Sequence, residues 1–218
     1  MGGKESKQKD EGTKMKKKDL EKETQLKVVI VGDSSVGKTS LLIRIIDGTF
    51  PEEYIPTVLG HEDKDPYVYE MNNGAPINIH FWDTAGQKYF SRLRPLSYPG
   101  ADVVLIAFSV ANDYSYDNIS CRWCKEVRHY LPDTPIILVG TQIDRRNDEK
   151  AIEWLNGRGK KITQKQEAEK LAKEIGCESY VETSARLGEN IEGLLEEICY
   201  VVGDIPKTVG LTVKRAKK

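Results

Sequence analysis

Two hydrophobic rhythms alternate between residues 26 and 202. Residues 26–31 (Leu-Lys-Val-Val-Ile-Val), 103–108 and 136–139 are short, nearly continuous apolar runs. Such runs predict strands covered on both faces. Residues 67–71 and 77–82 predict two further strands joined at Asn72-Asn73-Gly74, a hairpin turn signal, and residues 180–182 a shorter one. Between them, helical patterns occupy residues 38–46, 118–130, 164–175 and 190–202. Strands separated by helices predict an α/β fold: a mostly parallel six-stranded sheet with one antiparallel strand and helices on both faces. No internal repeat is present.

The rhythm stops at both ends. Residues 1–24 hold almost no large apolar side chains, and lysines alternate there with acids, most densely at Lys16-Lys17-Lys18. A segment of this kind buries too little surface to offset its ordering entropy, so it predicts a disordered tail. Residues 203–218 end in Lys214-Arg215-Ala216-Lys217-Lys218 and predict a flexible basic tail. One domain remains, residues 25–202, which suits a chain of 218 residues.

Composition removes several classes of function. A net charge of -1 argues against nucleic-acid binding. No stretch reaches the ~18 apolar residues of a membrane-spanning helix, and the N-terminus has no apolar core of a secretory signal. Four cysteines, Cys121, Cys124, Cys177 and Cys199, do not make a disulfide scaffold and predict a reducing, cytoplasmic setting. Cys121 and Cys124 form a C-x-x-C with no second pair, too few ligands for zinc. His61, His80 and His129 stand in no motif, and Tyr114 and Tyr116 read as loop and helix-start residues.

The chemistry starts at Gly32-Asp33-Ser34-Ser35-Val36-Gly37-Lys38-Thr39, a full match to G-x-x-x-x-G-K-[ST] between a predicted strand and a predicted helix. Backbone N–H groups from Ser34 to Ser40 curl into an anion site, reinforced by the positive end of the following helix. Gly37 permits close approach of the phosphates, Lys38 neutralises the β and γ oxygens, and Thr39 offers a hydroxyl to Mg²⁺. This predicts a nucleoside triphosphate and leaves the base open.

Asp83-Thr84-Ala85-Gly86-Gln87 ends the second hairpin strand. Asp83 can hold Mg²⁺ through water, Gly86 can donate its N–H to a γ-phosphate, and the Gln87 amide can orient an attacking water. Tyr54-Ile55-Pro56-Thr57-Val58 lies in the loop after the first helix. Thr57 can give its hydroxyl to Mg²⁺ and its N–H to the γ-phosphate, contacts that vanish with that phosphate and release the loop. Tyr54 joins the candidate nucleotide contacts. Thr141-Gln142-Ile143-Asp144 addresses the base: a carboxylate at Asp144 accepts from guanine N1–H and the 2-amino group, whereas adenine would leave it unpaired. Glu182-Thr183-Ser184-Ala185-Arg186 follows the last strand, and its Ala185 N–H can meet the guanine O6, with Ser184 and Arg186 beside it. Phe50 is placed to cover the base.

With these motifs in order, residues 26–202 resemble the Ras superfamily of small GTPases, and within it the Rho family. The narrower resemblance rests on Glu53-Tyr54-Ile55-Pro56-Thr57-Val58, Trp82-Asp83-Thr84-Ala85-Gly86-Gln87, Arg92-Leu93-Arg94-Pro95-Leu96-Ser97-Tyr98-Pro99, Pro135-Ile136-Ile137-Leu138-Val139-Gly140-Thr141-Gln142-Ile143-Asp144 and Ala172-Lys173-Glu174-Ile175-Gly176. The stretch at about 147–161 falls where that family carries an insert helix. The resemblance implies a P-loop G domain and a monomeric GTP/GDP switch with Mg²⁺. It implies exchange factors, GTPase-activating proteins and effectors that read the two switch loops, with output to actin and membranes. Gln87 and Lys38 are then the catalytic residues, and Thr39, Thr57 and Asp83 the metal ligands.

The chain departs from the family at Ser34-Ser35, where a glycine and an alanine are usual, at Lys88, where an acid is usual, and at Gln142 in place of a common lysine. No cysteine follows Cys199, so the C-terminal prenylation box is missing. Met1-Gly2-Gly3-Lys4-Glu5-Ser6 instead fits the myristoylation pattern at Gly2. One acyl chain gives marginal binding, and the lysines near it are the second signal for peripheral association with the inner leaflet. Two rivals to a GTPase stand beside it: a GTP-binding module with little hydrolysis, motivated by Ser34, and an ATP-using P-loop enzyme, opposed by Asp144.

Overall fold

Successive residues of the first strand feed opposite cores. In the computed structural model, which describes residues 24–53, 57, 61–62, 66–70 and 76–203, β1 spans Thr24–Gly32. Val28 and Ile30 pack on one side of it, Val29 and Val31 on the other, all without exposure. That is the period-two geometry of a strand covered on both faces. The first core adds Leu41, Leu42 and Ile45 of α1 (Lys38–Asp47) and Leu194, Leu195 and Ile198 of α6 (Ile191–Gly203). The second adds Ile119, Trp123 and Val127 from the long central helix and Ala168 and Ala172 of α5 (Lys165–Glu174).

The sheet order places the site. β4 (Pro76–Asp83), β1, β5 (Val103–Ser109), β6 (Ile136–Thr141) and β7 (Ser179–Glu182) run parallel in that order. Two short segments, β2 (His61–Glu62) and β3 (Tyr67–Glu70), pair antiparallel along the same outer edge of β4, with Glu62 opposite Trp82 and Tyr67 opposite Ile79. They make one antiparallel edge lane in two pieces, so the expected six-lane sheet is observed. From β1 the chain goes first to one side of the sheet and then to the other. Ligands of such sheets bind outside the carboxyl ends at this switch point, where the turn 33–37 lies. β1 and β5 close tightly there: a Cβ on Gly32 (φ +147°) would lie 2.1 Å from the Ala107 carbonyl oxygen.

The central helix differs from its expected bounds. It starts at Asp113, capped by Asn112, whose side chain accepts from the Ser115 N–H. α2 (Asp113–Asn118) runs into a π turn (Ile119–Trp123) and then α3 (Cys124–Tyr130). Tyr114 and Tyr116 therefore lie inside a helix. The insert expected at about 147–161 contains α4 (Glu149–Asn156), capped by the Asp148 carboxylate on the N–H groups of Lys150 and Ala151. All four cysteines are free. Residues 1–23 and 204–218, with Gly2, and also Tyr54 and Asn72-Asn73-Gly74 lie outside the described residues.

A buried ion pair joins the turn Arg94–Ser97 to α3. The fully buried Arg94 side chain donates to Glu126 from Nε (2.6 Å) and Nη2 (2.9 Å), and Tyr98 donates its hydroxyl to the same carboxylate at 2.6 Å. Burial pushes the Glu126 carboxyl up, but the hydrogen bonds from Arg94 and Tyr98 and the arginine charge outweigh it and hold the group below the ordinary glutamate range. A depressed carboxyl stabilises the fold above its unfolded value, 4.5, and that stability is lost as pH falls through the folded one. Glu126→Gln strands a buried guanidinium, so urea denaturation at pH 7 should show a loss of about 3 kcal/mol. The gap from wild type should narrow as pH falls below 4.5 and close as it passes the lower folded value, where the wild-type carboxylate is itself neutralised.

Candidate functional site

The turn between β1 and α1 wraps one end of a trough. Ser34, Ser35, Gly37, Lys38, Thr39 and Ser40 line a cavity of about 270 Å³. Gly37 caps α1 in a left-handed conformation (φ +93°) and offers no side-chain cap. The first helical N–H groups are thus without a side-chain acceptor, which is the electrostatic setting of an anion site. Val36 has no exposure and anchors the turn from below; its carbonyl takes a bond from the Thr141 hydroxyl. Lys38 Nζ donates to the carbonyls of Gly32 (3.0 Å) and Asp33 (2.8 Å). Burial lowers its pKa to about 8, against the pull of Asp83 and Asp33. Phosphate oxygens in this cavity would hold the lysine fully protonated.

Three oxygen-bearing side chains from separate elements meet beside this cavity, two of them, Thr39 and Thr57, on its wall. Thr39 at the start of α1, Thr57 in the following loop and Asp83 at the end of β4 form one cluster. The two hydroxyls lie 2.7 Å apart, Thr57 donates to Asp83 Oδ2 at 2.8 Å, and Thr39 donates to the same oxygen. The other carboxylate oxygen of Asp83 is buried with no hydrogen-bond partner, so the cluster has capacity for a cation. Among the described residues no group of three or more His, Cys, Asp or Glu side chains could hold a metal. One carboxylate with hydroxyls suits a hard ion that takes its remaining ligands from phosphates and water, as Mg²⁺ does.

The segment after Asp83 presses on the phosphate turn. Thr84 donates to the Ile30 carbonyl at 2.6 Å. A Cβ on Gly86 would lie 2.5 Å from Gly32 O, Asp33 C and Ser34 N, so no other residue fits without moving backbone. Gln87 lines the cavity, and its Oε1 is buried and unpartnered. Lys88 is exposed.

Beyond the phosphate end lies a second cavity of about 320 Å³, lined by Phe50, Thr141, Gln142, Asp144, Ala185 and Arg186 among others. It shares Gly37, Ser40, Phe50 and Gln142 with the first, so the two form one trough. Gln142, at φ +57°, accepts from the Ser109 hydroxyl (2.7 Å) and donates to the Ser35 carbonyl (3.1 Å), joining the phosphate turn to the base loop. Ser184 does not line the trough. It is buried and donates to Asp144 Oδ1 at 2.7 Å, fixing that carboxylate rather than facing a base.

Several residues of the site carry no local sequence signal. Arg44 of α1 donates to the carbonyls of Ala185 (2.6 Å) and Arg186 (3.0 Å). The Asp33 carboxylate accepts from Asn118 Nδ2 (2.6 Å) and Trp123 Nε1 (3.0 Å) and pairs with Arg122 at 3.4 Å, pinning the phosphate turn to the central helix. Only the helical spacing of Asn118, Arg122 and Trp123 was open to reading, and the π turn alters it.

A sequence model of the Ras family matches residues 27–203. The Rho-related protein racC of Entamoeba histolytica is 44% identical over 178 residues, covering 81% of this chain and 89% of that protein. The Rho-related GTP-binding protein RhoD of Homo sapiens is 41% identical over 177 residues, covering 81% and 82% respectively.

Proposed function

From a chain that belongs to the Ras family, as a Rho-related small GTPase, we propose a switch that binds GTP, hydrolyses it through Gln87 and relaxes when the γ-phosphate leaves. The observation that carries this reading is the meeting of Thr39, Thr57 and Gln87 at one cavity, with Asp83 bonded to both threonine hydroxyls behind it. Lys38 and the N–H groups of the phosphate turn bind the β- and γ-phosphates. Mg²⁺ held by Thr39, Thr57 and Asp83 would offset charge on those oxygens. Gln87 Oε1 accepts a hydrogen bond from a water and aims it at the γ-phosphorus. Phe50 and Gln142 flank the base, Asp144 accepts from its N1–H and 2-amino groups, and Ala185 donates its N–H to O6. To the bonds of Thr57 with Thr39 and Asp83 the γ-phosphate would add one from the Thr57 N–H, and phosphate loss removes that contact and loosens the loop.

Chromatography of the denatured protein tests the reading: GDP or GTP should copurify near one per chain, and chelation of Mg²⁺ should speed its release at least tenfold, to be followed with a fluorescent GDP. Copurifying ATP or ADP, or release indifferent to chelator, would overturn it. Exposed Tyr89 (88%) and Leu96 (72%) lie in the segment that follows Gln87, Tyr89 near its start and Leu96 in the turn Arg94–Ser97. They give exchange factors, GTPase-activating proteins and effectors an apolar surface that moves with the switch. Output to actin, and inner-leaflet attachment through Gly2 and the N-terminal lysines, extend the proposal. Among the described residues no helix is long and apolar enough to cross a membrane.

A second reading, GTP binding with little turnover, rests on Ser34, which lines the cavity and whose backbone nitrogen abuts Gly86. Phosphate release measured with and without a Rho-type activating protein separates the two.

A further inference from the structure

Two arginines grip consecutive carbonyls beside Gln87. Arg94 Nη1 donates to Ala85 O, and Arg122 Nη2 donates to Gly86 O at 3.2 Å. Both guanidinium groups lie over the ring of the fully buried Trp123, at 4.6 and 4.2 Å from its centre. Each is tied down by an acid, Arg94 by Glu126 and Arg122 by Asp33 of the phosphate turn.

The two grips act on different peptide planes. In a trans peptide the carbonyl and the following N–H point in opposite directions, and no described peptide here is cis. Holding Ala85 O therefore aims the Gly86 N–H, the candidate γ-phosphate donor. Holding Gly86 O aims the peptide that begins Gln87, which enters its turn with φ -63° and ψ 143°. The π turn makes the second grip possible. Residues five apart on an α-helix diverge by about 140°, whereas the i→i+5 bonding of a π turn brings them back toward one side. Asn118 and Trp123 thus reach one carboxylate, and Arg122 is carried in beside them.

We infer that Arg122 is a positioning residue for hydrolysis: braced by Asp33 and Trp123, it fixes the Gly86–Gln87 peptide so that the Gln87 amide meets the attacking water. The inference rests on the switch reading above. Arg122 acts on Gln87 through the Gly86 carbonyl, and Asp33, with which it also pairs, keeps its bonds from Asn118 and Trp123 when Arg122 is changed. Arg94, wholly buried, holds the fold together, whereas the Arg122 side chain keeps 27% exposure and can be changed without opening the core.

The test is single-turnover phosphate release from the full chain loaded with GTP, in a double-mutant cycle. Arg122→Met should slow release about tenfold, the scale of a misplaced catalytic group, with GDP and GTP affinities held. In a Gln87→Leu background the same change should have no further effect. Arg122→Lys, which keeps a charged donor but not the fork, should fall between wild type and Arg122→Met, and it answers the question alone if the methionine variant does not fold. An unchanged rate in Arg122→Met, a lysine variant at the wild-type rate, or an equal loss with and without Gln87 overturns the inference. A wild-type chain that fails to turn GTP over removes the switch reading itself. A wild-type rate that depends on Gln87 but not on Arg122 removes this inference alone.

Discussion

Gln87→Leu is expected to slow single-turnover GTP hydrolysis by about two orders of magnitude, the usual effect of deleting one preorganised polar group from a reacting centre. GTP and GDP affinity should stay within about twofold, because the lost contact is made to the water and strengthens only in the transition state. The side-chain amide oxygen of Gln87, Oε1, is already buried and without a partner at the cavity. Burial of that kind is unfavourable unless something fills the bond, and a water on the γ-phosphate does so. Leucine fills similar volume with no acceptor. Phosphate release from preloaded protein, measured beside fluorescent-nucleotide affinity, checks both halves. A variant that hydrolyses at the wild-type rate removes Gln87 from the reaction.

Asp144→Ala should weaken GDP binding by about a thousandfold, because a base that presents two donors is left facing an apolar wall. ADP, which lacks those donors, should bind the variant no worse than it binds wild type. The carboxylate is preset by the Ser184 hydroxyl at 2.7 Å. Ser184→Ala should therefore reproduce the direction of the effect at a fraction of its size. Competition of GDP and ADP against a fluorescent guanine nucleotide reads the ratio. If the preference for GDP survives in Asp144→Ala, guanine is recognised elsewhere.

The pentapeptide Asp83-Thr84-Ala85-Gly86-Gln87 and the eight residues from Gly32 to Thr39 were legible because each packs a whole chemical task into adjacent positions. Strands such as 103–108 and 136–139 were legible because burial on both faces leaves unbroken apolar runs. The start of the central helix was not. Asp113, Tyr114 and Ser115 are weak helix formers, and it is the Asn112 cap and burial of Ser115 that settle their conformation. The roles of Arg44, Arg94 and Arg122 were also hidden. Each acts on a backbone carbonyl, an acceptor every residue carries, so no motif records it. Ser184 shows the opposite case: its motif is read as a base loop, while its side chain turns inward to Asp144.

Helix α1 starts at the proposed phosphate site with Lys38 and, through Arg44, clasps the carbonyls of Ala185 and Arg186 in the proposed base loop. At 1.5 Å per residue about 9 Å of helix separates Lys38 from Arg44. The two cavities share Gly37 and Ser40 at the start of the helix, so a bare purine or free pyrophosphate would fill one part of the trough, and an intact nucleotide both. The halves of such a ligand should reinforce each other well beyond the sum of their separate affinities, since the second half docks at high local concentration.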